Sequence, residues 1–362
     1  MSGTRAHGHL WPGVPCALAS AVLFGAAPPL AKLLVGGIEP FMLAGLLYLG
    51  AGLGLAGLRL VMPGGRGEGR LGRADLPWLA GAVIAGGMVG PVLLMIGLSR
   101  TTASTGALLL NLEGLATMAI AWIAFRENVD RRLLVGAGAI LAGAAVLGFD
   151  GSEIAFDPGA LAIAGACLAW GIDNNLTRRI SAADPVVITI LKGTIAGSVD
   201  VGLALAAGVE PPGAAIAGEA MLVGFFCVGV SLVLFILALR HLGTARTGAY
   251  FSLAPFIGVV LAMMLLGDPP TLQLFVAALL MGVGLHLHLA ERHEHEHLHE
   301  PQEHEHPHVH DAHHAHAHDG PIDEPHTHPH RHVAIRHAHV HYPDLHHRHG
   351  HGHEHEHGKG PD

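Results

Sequence analysis

Between residues 13 and 290 the sequence runs again and again for about twenty apolar residues before a short polar break. A stretch of that length suffices for an α-helix to cross the hydrocarbon of a bilayer. Within lipid, only a helix or a closed barrel satisfies every backbone N–H and C=O. The runs fall at 13–36, 40–61, 76–98, 103–125, 132–149, 159–179, 185–207, 217–239, 247–266 and 271–290, which predicts about ten transmembrane helices. Composition agrees: 51% of the 362 residues are hydrophobic, only 14% are charged, and the mean hydropathy is +0.45. That is too little charge to cover a soluble protein of this size. Fifty glycines and few aromatic residues suit closely packed transmembrane helices. The expected class is an all-α polytopic membrane protein.

The first run could be taken for a cleaved leader, with Arg5 as a thin basic flank and Ala26-Ala27 as a small-residue end. Pro28 follows at once and the apolar character resumes to Val35, so it reads as a retained helix. Cys16, Cys167 and Cys227 lie in apolar runs without a C-x-x-C pair and read as packing residues. The formal net charge of -9 gives no reason to expect nucleic acid as a partner.

Basic residues set the expected orientation. Arg66, Arg70, Arg73, Arg126, Arg131, Arg132, Arg178, Arg179, Arg240 and Arg246 all fall in one alternate set of connections. The other set carries Glu39, Asp150, Glu153, Asp157, Glu210, Glu219 and Asp268, with Arg100 as its basic exception. The basic set and both termini are expected in the cytoplasm, with the chain in the inner or plasma membrane. The stretch GGRGEGRLGR at 64–73 lacks the context of a phosphate loop and reads as a cytoplasmic turn.

The chain also resembles itself. FGAAPPLAK at 24–32 aligns with WGIDNNLTR at 170–178, GIEP at 37–40 with AADP at 182–185, and ASTGA at 103–107 with ARTGA at 245–249. Gly50 and Gly54 align with Gly193 and Gly197. Two tandem copies, 1–150 and 151–290, are expected. Five helices per copy is an odd number, so the copies would enter the membrane with opposite polarity. Such inverted repeats are a secondary-carrier design with a solute site near the midplane.

Few polar residues interrupt the spans. They are Lys32, Asn111, Glu113, Asp173, Asn174, Asn175, Lys192 and Asp200. Intramembrane charges face a bundle interior or a wet cavity and find partners there. Glu113 and Lys192 both fall near mid-span and could meet across the halves. A carboxyl group at that depth can take up and release a proton, one physical route to proton-coupled antiport. The other reading of the pair is a buried ion pair that glues helices together. Lys32 and Asp200, nearer span ends, read as snorkelling groups. Pro28 and Pro29 in the first helix, and Asp173, Asn174 and Asn175 in the sixth, predict bends or breaks at matched places.

Beyond residue 290 the composition changes. All of the 31 histidines except His7, His9, His241, His286 and His288 lie in residues 291–362, mixed with Glu, Asp, Pro and Gly. Such a segment cannot bury a core and is expected to be a disordered cytoplasmic tail without a ligand. HEHEHLH at 293–299 and HGHEHEH at 351–357 make His293, His295, His297, His299, His351, His353, His355 and His357 candidate ligands for divalent Zn, Ni, Cu or Co. His293-Glu294-x-x-His297 and His353-Glu354-x-x-His357 match the zincin spacing. Any alternating His/Glu run does so, and no helical pocket context accompanies them. No hydrolytic triad or nucleotide-binding constellation stands out, so the chain is not expected to be an enzyme and no cofactor is required.

G-x-x-P-P-L-A-K at 25–32, S-T-G-A-L-L-L-N-L-E at 104–113 and F-R-E at 125–127 resemble the EamA domains of the drug/metabolite transporter superfamily. R-T-G-A-Y-F-S-L-A-P-F at 246–256 and L-G-D-P at 266–269 resemble the second copy. The resemblance implies a ten-helix inverted-repeat carrier, often an exporter of metabolites, amino acids or drugs. It also implies a basic residue in the second helix of a repeat. Lys192 fits that place in the second copy, whereas the first has Tyr48 or Leu49.

The expected function is secondary-active export of a small metabolite or drug-like solute by alternating access, with protons as a coupling partner. Glu113, Lys192, Asp173 and Asn174 are the first cavity candidates, followed by Asn111, Asn175 and Tyr250. Two rivals are a transition-metal efflux carrier with the tail as metal collector, and a membrane metal sensor that transports nothing. Polar residues at repeat-related places within the spans favour transport over a tail-only sensor.

Overall fold

All ten apolar runs are helical in the computed structural model, which describes residues 13–61, 71–125, 131–148, 157–180, 183–242, 247, 250–289, 294–299, 303–308, 326–331 and 335–340. Helix α1 is Gly13–Val35 and α2 is Pro40–Val61. Helix α3 runs Arg73–Arg100 and contains a π-helical stretch, Val83–Val89. Helix α4 has two pieces, Ala103–Leu109 and Asn111–Phe125, and α5 is Arg131–Gly148. Helix α6 is Pro158–Arg179 and α7 is Pro185–Ala206. Helix α8 joins Ala214–Gly224, a π-helical stretch Phe225–Val230 and Ser231–Leu242. Helix α9 is Ala254–Leu266, and α10 is Leu272–Leu289.

Seven of these are long and apolar enough to span a membrane on length and composition alone. Helices α9 and α10 are shorter, and α6 carries Asp173, Asn174 and Asn175. Large apolar side chains such as Ile123 and Met264 stand about three-quarters exposed, as lipid-facing residues do.

Capping groups written in the sequence start the helices. Asp157 accepts from the N–H groups of Gly159 and Ala160 at the head of α6, and Pro158 sits where no helical donor is needed. Asp184 and Pro185 repeat the device at α7, where Asp184 accepts from Val186 N at 2.8 Å. Glu39 accepts from Met42 N at the head of α2. Gly267, in the left-handed region at φ +70°, ends α9.

The helices pack in a pattern that survives exchange of the first five with the last five. Helix α2 lies on α7, and α5 on α10. The contact of α3 with α6 has its counterpart in α1 with α8, and that of α4 with α6 in α1 with α9. The α2–α7 crossing is close. A Cβ on Gly193 would lie 2.8 Å from both Gly52 N and Tyr48 O, so only glycine lets the two backbones approach this closely. Ser20 and Ser231 hydrogen-bond each other where α1 meets α8.

The matched breaks expected in α1 and α6 do not occur. Helix α1 continues through Pro28 and Pro29, both buried, and α6 continues through Asp173, Asn174 and Asn175. Asn175 returns its side-chain amide to Gly171 O at 2.8 Å, one turn back, so it bonds within the helix instead of unwinding it. Among the described residues, irregular backbone lies in the π stretches of α3 and α8, at Leu110 of α4 and at the turn Ser252–Leu253 before α9.

Residues 292–362 form a separate unit. Four six-residue strands are described in it: β1, Glu294–His299; β2, Glu303–His308; β3, His326–Arg331; and β4, Ile335–Val340. Antiparallel pairs join β1 to β4 and β2 to β3. The period-two alternation of His with other residues suits extended backbone.

Candidate functional site

Asp173, Asn174 and Asn175 are consecutive on α6, so their side chains leave the helix about 100° apart. Asp173 meets α7, and the two asparagines meet α4. Asp173 is 4% exposed and forms an ion pair with Lys192 of α7 through Oδ2. Its Oδ1 accepts from the Thr177 hydroxyl at 3.0 Å. Asn174 donates through Nδ2 to Glu113 Oε1 at 3.0 Å and to Thr117 Oγ1 at 3.1 Å, both on α4. Asn175 donates to Thr117 O at 3.0 Å, pinning the same turn of α4 to α6.

The π-helical stretch of α3 supplies the floor. Gly86 O accepts from the Tyr48 hydroxyl of α2 at 2.8 Å and from Trp170 Nε1 of α6 at 2.9 Å. A π turn displaces carbonyls from the α-helical ladder, and π-bulges recur at functional sites for that reason. Gly86 is also packed directly against the Asp173 carboxylate, where a Cβ would overlap it. Five helices therefore meet: α2, α3, α4, α6 and α7.

Exposure shows which way the cluster opens. Asn174 is exposed and Glu113 is half-buried. The lipid-facing row of α6 is Leu161, Leu168 and Ile172. Asn174 lies about 120° to 160° around the helix from that row. On α4, Glu113 lies about 180° from Trp122 but about 80° from the more exposed Ile123. Asn174 thus points away from the bilayer side, and the Glu113 carboxyl meets it there. Asp173 and Lys192 neutralise each other, whereas Glu113 has only a neutral amide donor among its described hydrogen bonds.

Of the residues singled out from sequence, Glu113, Asp173, Asn174, Asn175 and Lys192 come together. The anticipated meeting of Glu113 with Lys192 takes another form, because Asp173 holds the ammonium. Asn111 stands apart: its amide donates to Leu108 O at 2.8 Å beside the discontinuity at Leu110, and it faces Met281 of α10. Tyr250 packs with Ala17, Ala238 and Leu242. Lys32 donates to Leu98 O and Thr101 O, the last carbonyls of α3, and so caps that helix. His295, His297 and His299 lie on β1; His293, His351, His353, His355 and His357 lie outside the described residues. Among the described residues there is no group of three or more His, Cys, Asp or Glu side chains able to hold a metal.

Three participants escaped the sequence reading. Thr117 is an ordinary helix residue until Asn174 reaches it. Trp170 entered only as the first residue of WGIDNNLTR, aligned with Phe24. Tyr48 had a signal, since it stands in the first copy where Lys192 stands in the second.

The model of the EamA-like transporter family matches this chain twice, over residues 11–149 and 157–289. An uncharacterized transporter of Methanothermobacter thermautotrophicus is 26% identical over 294 residues, covering 76% of this chain and 85% of the relative. A crystal structure of a protein superposes with a TM-score of 0.57 at 20% identity, covering 76% of this chain and 95% of the other. That last likeness speaks to the fold.

Proposed function

The chain belongs to the EamA-like transporter family, and from that premise we propose that it is a secondary-active carrier exporting a small metabolite or drug-like solute by alternating access. The observation that carries the reading is the cluster itself. An ion pair and a carboxyl–amide pair, contributed by three helices, open toward the interior at a depth where lone charges are costly. Amide, hydroxyl and carboxyl groups in such a setting can orient a polar solute.

Two halves of opposite polarity, 1–150 and 151–290, would rock around this site with both termini in the cytoplasm. The exchange symmetry of the helix packing and the double family match support that organisation. Protons are the proposed coupling ion, with Glu113 as one exchanging group.

The test is a flux screen in proteoliposomes, with metabolites, drug-like compounds and divalent metals side by side, for the full chain and for a chain ending at residue 290. Movement of an organic solute is expected with either chain. Movement of metals alone, and only with residues 291–362 present, would favour metal efflux, and no movement of any solute would favour a sensor. Glu113→Gln should abolish the pH-driven part of the flux in a folded protein; unchanged pH-driven flux rejects Glu113 as the coupling group.

A further inference from the structure

Asp200 takes no part in the bonds described above. It is 1% exposed, and its Oδ2 has no hydrogen-bond partner among the described residues. It lies on α7 in the row Gly193, Gly197, Asp200 and Ala204, spaced so that all four share one face. That face packs on α2: Gly193 meets Gly52 and Tyr48, and Gly197 meets Gly45 and Leu49. The carboxyl group is therefore held inside the seam that the two-halves reading places on the pseudo-two-fold axis.

A buried polar oxygen without a donor is costly, more so when charged. Such a group persists where it has a ligand or a role. A metal ion needs several ligands, and no cluster of three or more acidic, His or Cys side chains occurs among the described residues. A solute needs room that a residue 1% exposed does not offer. A proton needs one carboxylate oxygen and nothing else.

The charged and titratable groups around this position are few. Helix α2 carries Tyr48, whose backbone meets Gly193 about 10 Å along the seam from Asp200 and whose hydroxyl donates to Gly86 O, and Glu39 at its head, which accepts from Met42 N. The π stretch of α3 that packs on α7, Val83–Val89, contains no titratable residue, nor does Leu76–Ala82. On α7 itself, Lys192 lies about 12 Å along the axis toward the helix start and is engaged by Asp173. Asp184, farther along at the cap, is engaged by Arg59 at 2.5 Å.

We propose that Asp200 is a proton-binding site of the carrier, separate from Glu113. Binding is the simple addition of one proton to the carboxylate. As a coupling device the site rests on the carrier reading; as a proton site it does not.

The test uses the full chain in liposomes, with the aspartate side-chain carboxyls isotope-labelled, and infrared difference spectra recorded across a pH step. A carboxylic-acid carbonyl signal is expected that moves with the aspartate label, disappears in Asp200→Asn and survives in Glu113→Gln. Persistence of that signal in Asp200→Asn, or no aspartate-dependent signal at all, overturns the proposal. If Asp200→Asn fails to fold, Asp200→Glu must abolish the aspartate-labelled signal, and an unchanged spectrum overturns the proposal equally. Absence of any solute flux in the wild type would sink the carrier reading and leave the infrared result standing. A wild-type flux whose dependence on a pH gradient is the same in Asp200→Asn would sink the coupling and leave the carrier reading intact.

Discussion

Removing Lys192 should be more damaging than removing both members of its ion pair. The Lys192 side chain is 18% exposed and that of Asp173 is 5% exposed, so the pair is largely desolvated. Lys192→Met leaves Asp173 charged beside the Gly86 backbone, with the Thr177 hydroxyl as its remaining described donor. Breaking a buried pair from one side costs about 3–5 kcal/mol. Residual access to water at Lys192 places the expected loss near the lower end, about 3 kcal/mol, or roughly a 150-fold shift in the unfolding equilibrium. Lys192→Met combined with Asp173→Asn removes the stranded charge and should recover at least about 1 kcal/mol relative to the sum of the single losses. The assay is reversible unfolding in mixed micelles of the wild type, both single variants and the double variant. Losses that simply add would refute the pairing, because uncoupled residues show no interaction energy.

Gly86→Ala should drive a methyl group into the Asp173 carboxylate, costing about 1–3 kcal/mol and lowering solute counterflow; wild-type stability and flux would contradict the close packing. Asp184→Ala should destabilise by about 1 kcal/mol through loss of the α7 cap, whereas Arg59→Ala, one-third exposed in the wild type, should lose less; equal effects in thermal melts would show that the ion pair and not the cap is what Asp184 provides. Calorimetric titration with Ni or Zn should show binding by the full chain and much weaker binding by a chain ending at residue 290; equal binding would remove the histidines of residues 291–362 from any metal role.

The spans were legible because helix length in a bilayer is set by hydrocarbon thickness, and a run such as 40–61 announces itself by length and apolarity. The starts of α6 and α7 were legible too, through Asp157-Pro158 and Asp184-Pro185. Depth alone also singled out Glu113 and Lys192. Their partners were not legible, because depth says nothing about azimuth: Asp173 and Asn174 are neighbours in sequence yet serve α7 and α4 separately. Asn111 shares the piece Asn111–Phe125 with Glu113, but two residues along a helix turn it by about 200° to a different neighbour. The π stretch at Val83–Val89 left no mark, since its sequence has neither proline nor any polar side chain. Pro28 and Pro29 misled in the other direction, because the surrounding packing keeps α1 whole.

A π turn adds one residue to a helical revolution, so α3 behaves as two helices joined out of phase. Everything from Gly90 to Arg100 is rotated by about 100° from where one continuous wheel drawn from Leu76 would put it. Excising a single residue from Val83–Val89 would restore the regular winding and swing the carbonyl now shared by Tyr48 and Trp170 toward a different neighbour. Relatives that lack this extra residue would have to seat their indole and phenol elsewhere.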